Sequence, residues 1–202
     1  MDMFNKIIKR IFDFIASLIG CIILTPVYVI IALLIKLTSK GPIFFKQKRI
    51  GRYGNEFNIL KYRTMVVNAE RIGRQITIGN DSRVTRIGYF LRKYKLDELP
   101  QLINVLKGDM SLVGPRPEVP KYVELYNENQ KRVLEVRPGI TDYASIEYRD
   151  ENSILGNVKN PEEYYINIIM PHKIDLNMKY IENNNIFIDI AIIFKTIFNI
   201  GK

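Results

Sequence analysis

Two adjacent carboxylates, Asp97 and Glu98, open the part of the sequence that is richest in reactive side chains, residues 96–118. They follow a cationic run that contains Arg83, Arg86, Arg92, Lys93 and Lys95. Carboxylates can act as nucleophiles or hold a hard cation, and basic side chains can neutralise the charge of a phosphate. The pattern therefore indicates a site that handles phosphate.

The same residues also fit the start of a helix. Pro100 is tolerated in a first helical turn, and apolar residues follow at helical spacing: Leu99, Leu102, Ile103 and Leu106. In this alternative Asp97 is an N-cap and Glu98 only complements the helix dipole. The residue types alone leave both interpretations open.

A stiff loop ends the stretch. Residues 108–109, Gly-Asp, predict a turn, and residues 114–118 read Gly-Pro-Arg-Pro-Glu. Two prolines fix the backbone on both sides of Arg116, so its guanidinium is presented from a rigid loop. This geometry suits bidentate binding of a phosphate.

The string LDELPQLINVLKGDMSLVGPRPE resembles the bacterial sugar transferases, and the resemblance covers nearly all of the chain. These monotopic phosphoglycosyl transferases load a sugar 1-phosphate from a nucleotide diphosphate sugar, by family habit a uridine one, onto polyprenyl phosphate. The resemblance implies that Asp97 is the nucleophile, carries a covalent phosphosugar ester and releases a nucleoside monophosphate. It implies that Glu98 is associated with Mg²⁺. The expected product is the polyprenyl (undecaprenyl) diphosphate sugar that begins surface glycan or glycoconjugate synthesis.

Two basic motifs extend the resemblance, QKRIG at residues 47–51 and KYRTM at residues 61–65. In the family they lie near the active site. We predict that substrate or phosphate is bound by basic side chains from these and later segments: Arg116, Arg63, Lys61, Arg137 and Arg149. The alternatives are a solvated basic face beside anionic lipid and, for Arg149, a salt bridge with a neighbouring acid. Asp142 stands where the family usually has glycine, a departure that bears on substrate choice more than on reaction type.

The composition narrows the class of protein. A net charge of +9 over 202 residues indicates an anionic partner, which could be nucleic acid, an acidic membrane face or phosphorylated substrates. The only cysteine is Cys21 and the only histidine is His172, which excludes a disulfide framework and a Cys-His zinc site. We expect His172 to be structural or at the surface.

A long apolar run, Phe14 to Ile35, has no charged side chain and is long enough to cross a bilayer as a helix. Basic residues flank it on both sides, so the positive-inside rule draws both ends to the cytoplasmic face. Pro26 can kink the helix and Thr25 can satisfy a carbonyl group near the break. We predict a re-entrant membrane helix in residues 1–40, with a bitopic helix as the alternative. Residues 41–202 are then a cytoplasmic catalytic domain that rests on the bacterial inner (cytoplasmic) membrane.

The remaining patterns predict an α+β fold: a mostly helical single domain with a small β-hairpin and interfacial amphipathic helices. The hairpin joins residues 43–51 and 55–65. Before and after the central stretch we predict a short helix and loop at 66–81, a helix from Asp81 or Ser82 to about Tyr94, and a helix at 118–136. Further along, the predicted elements are a strand or extended segment at 140–148, a helix at 161–181 that Pro171 divides or kinks, and an interfacial or core helix at 186–200.

Two other functions compete with a phosphoglycosyl transferase. A basic membrane protein could bind nucleic acid or anionic lipid without catalysis, but it would need no carboxylate pair beside a Gly-Pro-Arg-Pro-Glu loop. A membrane glycosyltransferase could transfer the sugar alone, but the chain has no Asp-x-Asp motif. We expect a nucleotide sugar, polyprenyl phosphate and membrane lipids as partners, and no nucleic acid. The sugar, the polyprenol length, the pathway and the oligomeric state, with a homodimer as one option, stay open.

Overall fold

The computed structural model describes residues 3–69 and 81–199, and its fold is mostly helical with two small sheets. This confirms the α+β prediction. The N-terminal part consists of α1 (Met3–Ile23), α2 (Thr25–Thr38), β1 (Phe44–Ile50) and β2 (Glu56–Tyr62). The middle contains α3 (Arg86–Lys93), a 3₁₀ turn (Leu96–Glu98), α4 (Gln101–Lys107) and β3 (Ser111–Val113). Residues 70–80 and 200, on which two predicted segments partly fall, lie outside the described residues.

The C-terminal half is built from short elements. They are α5 (Pro120–Val123), α6 (Glu128–Lys131), a 3₁₀ turn (Arg132–Glu135), β4 (Gly139–Thr141), α7 (Tyr143–Glu147), α8 (Glu151–Gly156), α9 (Pro161–Tyr164), a π-helical segment (Tyr165–Ile169), α10 (Met170–Asn183) and α11 (Ile186–Asn199). Its core is formed by buried side chains that include Tyr122, Val133, Leu155 and Ile169.

The predicted hairpin is confirmed. β1 and β2 are antiparallel, with Gln47 opposite Ile59, and a tight turn at residues 52–54 connects them. Ile59 packs against Val105 and Met110 at the α4 side of the hairpin. Because side chains alternate along a strand, Lys61 lies on the same face as Ile59.

The second sheet is a parallel pair, in which Ser111 of β3 lies opposite Gly139 of β4. The two backbones approach so closely that a Cβ at Gly139 would lie 2.1 Å from the Gly114 nitrogen. The strand or extended segment predicted at 140–148 is wrong beyond Asp142, because a helix begins at Tyr143. There the buried Asp142 accepts a hydrogen bond from the Ser145 nitrogen (2.5 Å) and so starts helix α7.

Three helix boundaries differ from the predictions. The helix predicted from Asp81 or Ser82 begins at Arg86, because Thr85 caps it by accepting a hydrogen bond from the Gly88 nitrogen. The predicted helix at 118–136 is three short pieces, with a capping box at Asn127 restarting the second. Helix α4 begins at Gln101 without a side-chain cap, so the N-cap alternative for Asp97 is wrong.

Helices α1 and α2 meet at a break beside Pro26, where the helix axis bends by 60°. The hydroxyl of Thr25 donates to the Cys21 carbonyl at 2.9 Å, as its predicted role at the break requires. Within the described residues no single helix is long and apolar enough to cross a membrane, whereas this bent pair meets that criterion by length and composition. The re-entrant topology and the division at residue 40 stay predictions.

Both helices nevertheless pack on the rest of the chain along one side. Arg10 donates to the Val105 carbonyl at 2.7 Å and to the Leu106 carbonyl at 3.1 Å, which holds α1 at the C-terminal end of α4. Ile31 and Ile35 of α2 are buried against the hairpin and α3. The opposite side exposes large apolar side chains, among them Phe4, Ile11, Phe14, Ile19, Ile23, Ile30, Leu33 and Leu37.

The helix predicted at 161–181 is not divided at Pro171. Residues 161–183 follow one continuous helical path in which a π-helical segment separates α9 from α10, and Pro171 lies in the first turn of α10. Helix α11 buries Asp189 and Ile192 and exposes Phe187, Phe194 and Phe198. One side of α11 therefore packs on the protein, and its other side is apolar and exposed.

Candidate active site

The carboxylate pair lies on the 3₁₀ turn between α3 and α4. Lys95, with φ at 55°, is in the left-handed region and reverses the chain after α3. The turn then runs directly into α4, because Leu99 and Pro100 both have helical backbone angles. Asp97 is only 7% exposed, and the Glu98 side chain is 13% exposed.

Glu98 is fully engaged by two cations. Lys61 from β2 donates to Oε1 at 2.8 Å, and Arg116 donates to Oε2 at 3.2 Å and also to Oε1. Burial raises the pKa of Glu98, but the charges and hydrogen bonds of Arg116 and Lys61 outweigh it and hold this pKa well below its ordinary value. Glu98 is therefore an anion that is neutralised by its neighbours.

Asp97 has a different environment, because its Oδ1 is buried and has no hydrogen-bond partner among the described residues. Burial raises the pKa of Asp97, and the negative charge of Glu98 raises it further. The positive charges of Lys61, Arg92 and Lys95 act in the opposite direction. The pKa values of two carboxylates adjacent in sequence are thus shifted in opposite directions.

The loop at 114–118 is fixed from several sides. Arg49 donates to the Pro117 carbonyl at 3.0 Å, and Tyr165 donates to Oε1 of Glu118 at 2.8 Å. The main-chain nitrogen of Arg116 donates to Oδ2 of Asp142 at 3.0 Å. Asp142, the residue that departs from the family pattern, therefore contacts the loop that carries Arg116. The Arg116 side chain keeps 31% of its surface exposed beside Glu98, where an incoming anion could reach it.

Among the predicted basic residues, the structure brings Lys61 and Arg116 to the carboxylate pair. Arg63 instead donates to the main-chain carbonyls of Ser39 and Lys40 (2.9 and 2.7 Å), and Arg137 donates to that of Gly108 (2.9 Å). Arg149 is half-buried just after α7. The substrate contacts of these five residues stay predictions.

Two residues of this region were not singled out from the sequence as site residues. Arg92 of α3 donates to Oγ1 of Thr64 at 2.9 Å, and its charge acts on Asp97. Gln101 is completely buried, with both polar atoms of its amide unpaired among the described residues. Its place at the start of α4, close in sequence to Asp97 and Glu98, was the only sequence signal that pointed to it.

The carboxylates of this site can be compared with the ligands that Mg²⁺ prefers. No group of three or more His, Cys, Asp or Glu side chains that could hold a metal is found in residues 3–69 and 81–199. Mg²⁺, however, usually binds through one or two carboxylates and completes its shell with water and substrate phosphates. Glu98 supplies one such carboxylate, shared with Lys61 and Arg116, beside the unpaired oxygen of Asp97, so these residues fit an ion that draws most of its ligands from water and the substrate.

A separate cleft adjoins the loop and is lined mainly by apolar residues, including Ile50, Val123, Tyr126, Val133 and Pro138. Arg116 contributes to its wall, whereas Asp97 and Glu98 do not. We therefore take the carboxylate pair, and not this cleft, as the candidate active site.

His172 has the structural setting expected for it. Its Nδ1 is hydrogen-bonded to the Tyr148 hydroxyl at 2.7 Å, on a part-exposed surface formed by α7 and α10. The carboxylate pair has no histidine neighbour among its hydrogen-bond partners.

Comparison with known proteins gives consistent matches. The chain is 39% identical over 193 residues to a UDP-N-acetylgalactosamine-undecaprenyl-phosphate N-acetylgalactosaminephosphotransferase of Aeromonas hydrophila, covering 94% of this chain and 43% of that protein. It is 37% identical over 202 residues to a UDP-glucose:undecaprenyl-phosphate glucose-1-phosphate transferase of Escherichia coli K12, covering 96% and 40%. An uncharacterized sugar transferase, EpsL, of Bacillus subtilis is 37% identical over 95% of this chain and 86% of its own length.

The chain thus spans about two fifths of the length of the first two relatives and most of the third. The family described as bacterial sugar transferase matches residues 4–202, which includes both carboxylates, the basic motifs and the loop of Arg116. The chain belongs to the bacterial sugar transferase family.

Proposed function

We propose that this chain transfers a sugar 1-phosphate from a nucleoside diphosphate sugar, a UDP-sugar, to undecaprenyl phosphate. Relatives named for this kind of reaction match nearly the whole chain. The observation that carries the proposal is the contrast within the carboxylate pair: Glu98 is neutralised by Lys61 and Arg116, while Asp97 keeps an unpaired buried oxygen.

In the first step an oxygen of Asp97 attacks the phosphorus that bears the sugar. An O–P bond to Asp97 forms, and the bond from that phosphorus to the oxygen of the nucleoside monophosphate breaks, so the monophosphate leaves with the electron pair. Arg116 is the group we assign to bind the charged phosphates, because its guanidinium is part-exposed and adjoins the pair.

In the second step a phosphate oxygen of undecaprenyl phosphate attacks the same phosphorus. The O–P bond to Asp97 breaks, the carboxylate is regenerated and the polyprenyl diphosphate sugar leaves. One carboxylate thus serves a soluble and a lipid substrate in turn. We assign this role to Asp97 and not to Glu98, because an anion held between two cations is a poor nucleophile.

Glu98, the carboxylate beside the nucleophile, is the residue that would hold Mg²⁺. When bound, the ion would neutralise charge on the diphosphate and so ease attack by an anionic nucleophile.

We further propose that the chain binds the cytoplasmic face of the bacterial inner membrane, with α1 and α2 as a re-entrant pair. The 60° bend, the exposed apolar side chains and the basic residues at both ends support this topology. Single cysteines placed at Lys6 and at Lys46, with Cys21 replaced by alanine, should be labelled from the same side of sealed vesicles. Labelling from opposite sides would contradict the re-entrant form.

The reaction is tested by the nucleotide that is released. Purified protein is incubated with a panel of nucleotide sugars, Mg²⁺ and undecaprenyl phosphate, and the products are separated. We expect a nucleoside monophosphate and a lipid diphosphate sugar in equal amounts. Release of a nucleoside diphosphate would identify transfer of the sugar alone and would contradict the proposal.

A further inference from the structure

The main chain on either side of Arg116 has few hydrogen-bond donors, because its two neighbours are prolines. Pro115 and Pro117 have no N–H group, so the nitrogen of Arg116 is the only main-chain donor of this three-residue segment. It donates to Oδ2 of Asp142 at 3.0 Å. A single side-chain oxygen thus takes the one main-chain donor at the position that carries the guanidinium.

Asp142 is a buried carboxylate whose two oxygens have different partners. It is 0% exposed; Oδ1 accepts from the Ser145 nitrogen at 2.5 Å and caps α7, whereas Oδ2 accepts from Arg116, 26 residues earlier in the chain. Capping a helix needs one side-chain oxygen, which serine supplies as well as aspartate does. The second oxygen therefore has a task beyond the cap, which is to attach the loop to the start of α7.

The other attachments of the loop hold the two prolines. The Gly139 nitrogen donates to the carbonyl of the first at 2.9 Å, and Arg49 donates to the carbonyl of the second at 3.0 Å. The residue between them is held through its own nitrogen by Asp142. Its guanidinium extends to Oε2 of Glu98 at 3.2 Å and remains 31% exposed, so the packing around the side chain leaves it partly uncovered.

We propose that Asp142 is a positioning residue for donor binding: by holding the main chain of Arg116, it keeps the guanidinium beside Glu98, where the diphosphate of the nucleotide sugar binds. The inference rests on the proposed function, in which Arg116 binds the charged phosphates. No bond forms or breaks at Asp142, and the residue acts through Arg116 alone.

The direction of the guanidinium matters because its planar fork binds two oxygens only when it faces them. A long side chain on a displaced main chain keeps its charge but loses that alignment. The charges of Glu98 and, to a smaller extent, Asp142 raise the pKa of Arg116, so both carboxylates act on this cation. We therefore expect loss of Oδ2 to weaken binding of the donor more than it slows the chemical steps.

The test compares Asp142→Ser with Asn127→Ala. Serine can still cap α7 but lacks the oxygen that reaches Arg116, whereas Asn127→Ala removes the cap of another short helix, α6, at an exposed position. The probe is UDP, which cannot react, and its affinity is measured by calorimetry. Asp142→Ser should bind UDP about tenfold more weakly and raise the KM for the nucleotide sugar by a similar factor, with kcat nearly unchanged. Asn127→Ala should lower the thermal midpoint and keep the wild-type affinity and KM.

A double-mutant cycle shows whether Asp142 acts through Arg116. In an Arg116→Ala background no guanidinium is left to position, so Asp142→Ser should not weaken UDP binding further. Additive losses of affinity would overturn the inference. Wild-type affinity for UDP in Asp142→Ser would also overturn it, as would a lower kcat with unchanged affinity and KM.

Hydrogen exchange keeps this inference separate from the proposed function. In a peptide that covers residues 114–118 the two prolines have no amide hydrogen, so the exchange of Arg116 is readily resolved. This hydrogen should exchange faster in Asp142→Ser than in wild-type protein, and equal rates would overturn the inference. If wild-type protein binds UDP but forms no lipid diphosphate sugar, the proposed function fails, and the UDP affinities still decide the role of Asp142.

Discussion

Acidic side chains are buried in two regions of the molecule, and the hydrogen bonding of their carboxylates differs between the two. Where α1, α10 and α11 meet β3, Asp13 accepts hydrogen bonds from the Ser111 hydroxyl (2.7 Å) and the Leu112 nitrogen (3.2 Å). Asp189 accepts from Lys9 (2.5 Å) and from the Tyr180 hydroxyl (2.7 Å). We call these residues the anchor cluster, and in it every carboxylate oxygen has a partner.

At the carboxylate pair, one oxygen is left without a hydrogen-bond partner among the residues that the structure describes. Both oxygens of Glu98 are engaged, as in the anchor cluster, but Oδ1 of Asp97 is not. Folding normally pairs buried charges, because an unpaired one is costly. A carboxylate that is buried, unpaired and raised in pKa is therefore a candidate for chemistry, whereas a fully paired one is a candidate for structure.

The largest expected effect comes from Asp97→Asn. An amide of nearly the same shape is a poor nucleophile, so activity should fall by about a thousandfold or more. The free energy of unfolding should stay equal or rise, because a desolvated carboxylate is removed. Activity assays and thermal melts on the same preparation measure both quantities. A clear loss of stability would contradict the contrast between the two regions.

Asp189→Asn should instead lower stability and leave activity nearly unchanged. Lys9 would remain largely buried with only Asp13, 3.9 Å away, as its counter-charge, and breaking the closer pair should lower the free energy of unfolding by up to about 3 kcal/mol. Activity per folded molecule should change little. The matched control is Glu128→Gln, which removes an exposed partner of Lys131 and should leave the unfolding transition almost unchanged. Equal effects of the two substitutions would show that the anchor cluster does not stabilise the fold.

Glu98→Gln should lower both activity and stability. The substitution keeps the size of the side chain but leaves Lys61 and Arg116 without a counter-charge, so stability should fall by about 3 kcal/mol. Turnover should fall by about 10- to 100-fold and more Mg²⁺ should be needed, because one carboxylate is lost from the proposed metal environment. Titrations of activity with Mg²⁺ and chemical unfolding separate these effects. An unchanged Mg²⁺ requirement would remove Glu98 from the metal site.

Arg116→Lys should have the smallest effect. Lysine keeps the charge near Glu98 but loses the planar fork that can bind two oxygens, so activity should fall roughly tenfold with little change in folding. Steady-state kinetics with the nucleotide sugar measure the loss. Full activity would show that a point charge suffices at this position.

Features set by local residue pattern were predicted well from the sequence. The hairpin followed from strand-like segments bounded by Gly54 and Asn55, and the break near Pro26 followed from the missing amide hydrogen. Short helices were missed where a polar side chain caps the start of a new helix. Asn127 with Gln130 forms a capping box, and Asp142 caps α7, so both signals were present in the sequence but were not used.

The site was predictable in part. Asp97 and Glu98 stood out by type and by family resemblance, but their different environments depend on contacts distant in sequence. Lys61 reaches Glu98 across 37 residues, because β2 packs along α4 in a register held by Asn104. Arg63 and Lys61 belong to one motif, yet Arg63 donates to carbonyls at the end of α2. Strand direction and long-range packing decide which of the two reaches the pair.

The most direct test of the central claim is a search for the phosphosugar ester on Asp97. Protein is mixed with the nucleotide sugar and Mg²⁺ in the absence of undecaprenyl phosphate, digested, and analysed by mass spectrometry, with Asp97→Asn as the control. We predict up to about one nucleoside monophosphate released per protein and a phosphosugar mass on the peptide that contains Asp97, both absent in the control. Active protein that never carries this mass, and that forms product only with both substrates bound together, would contradict the account.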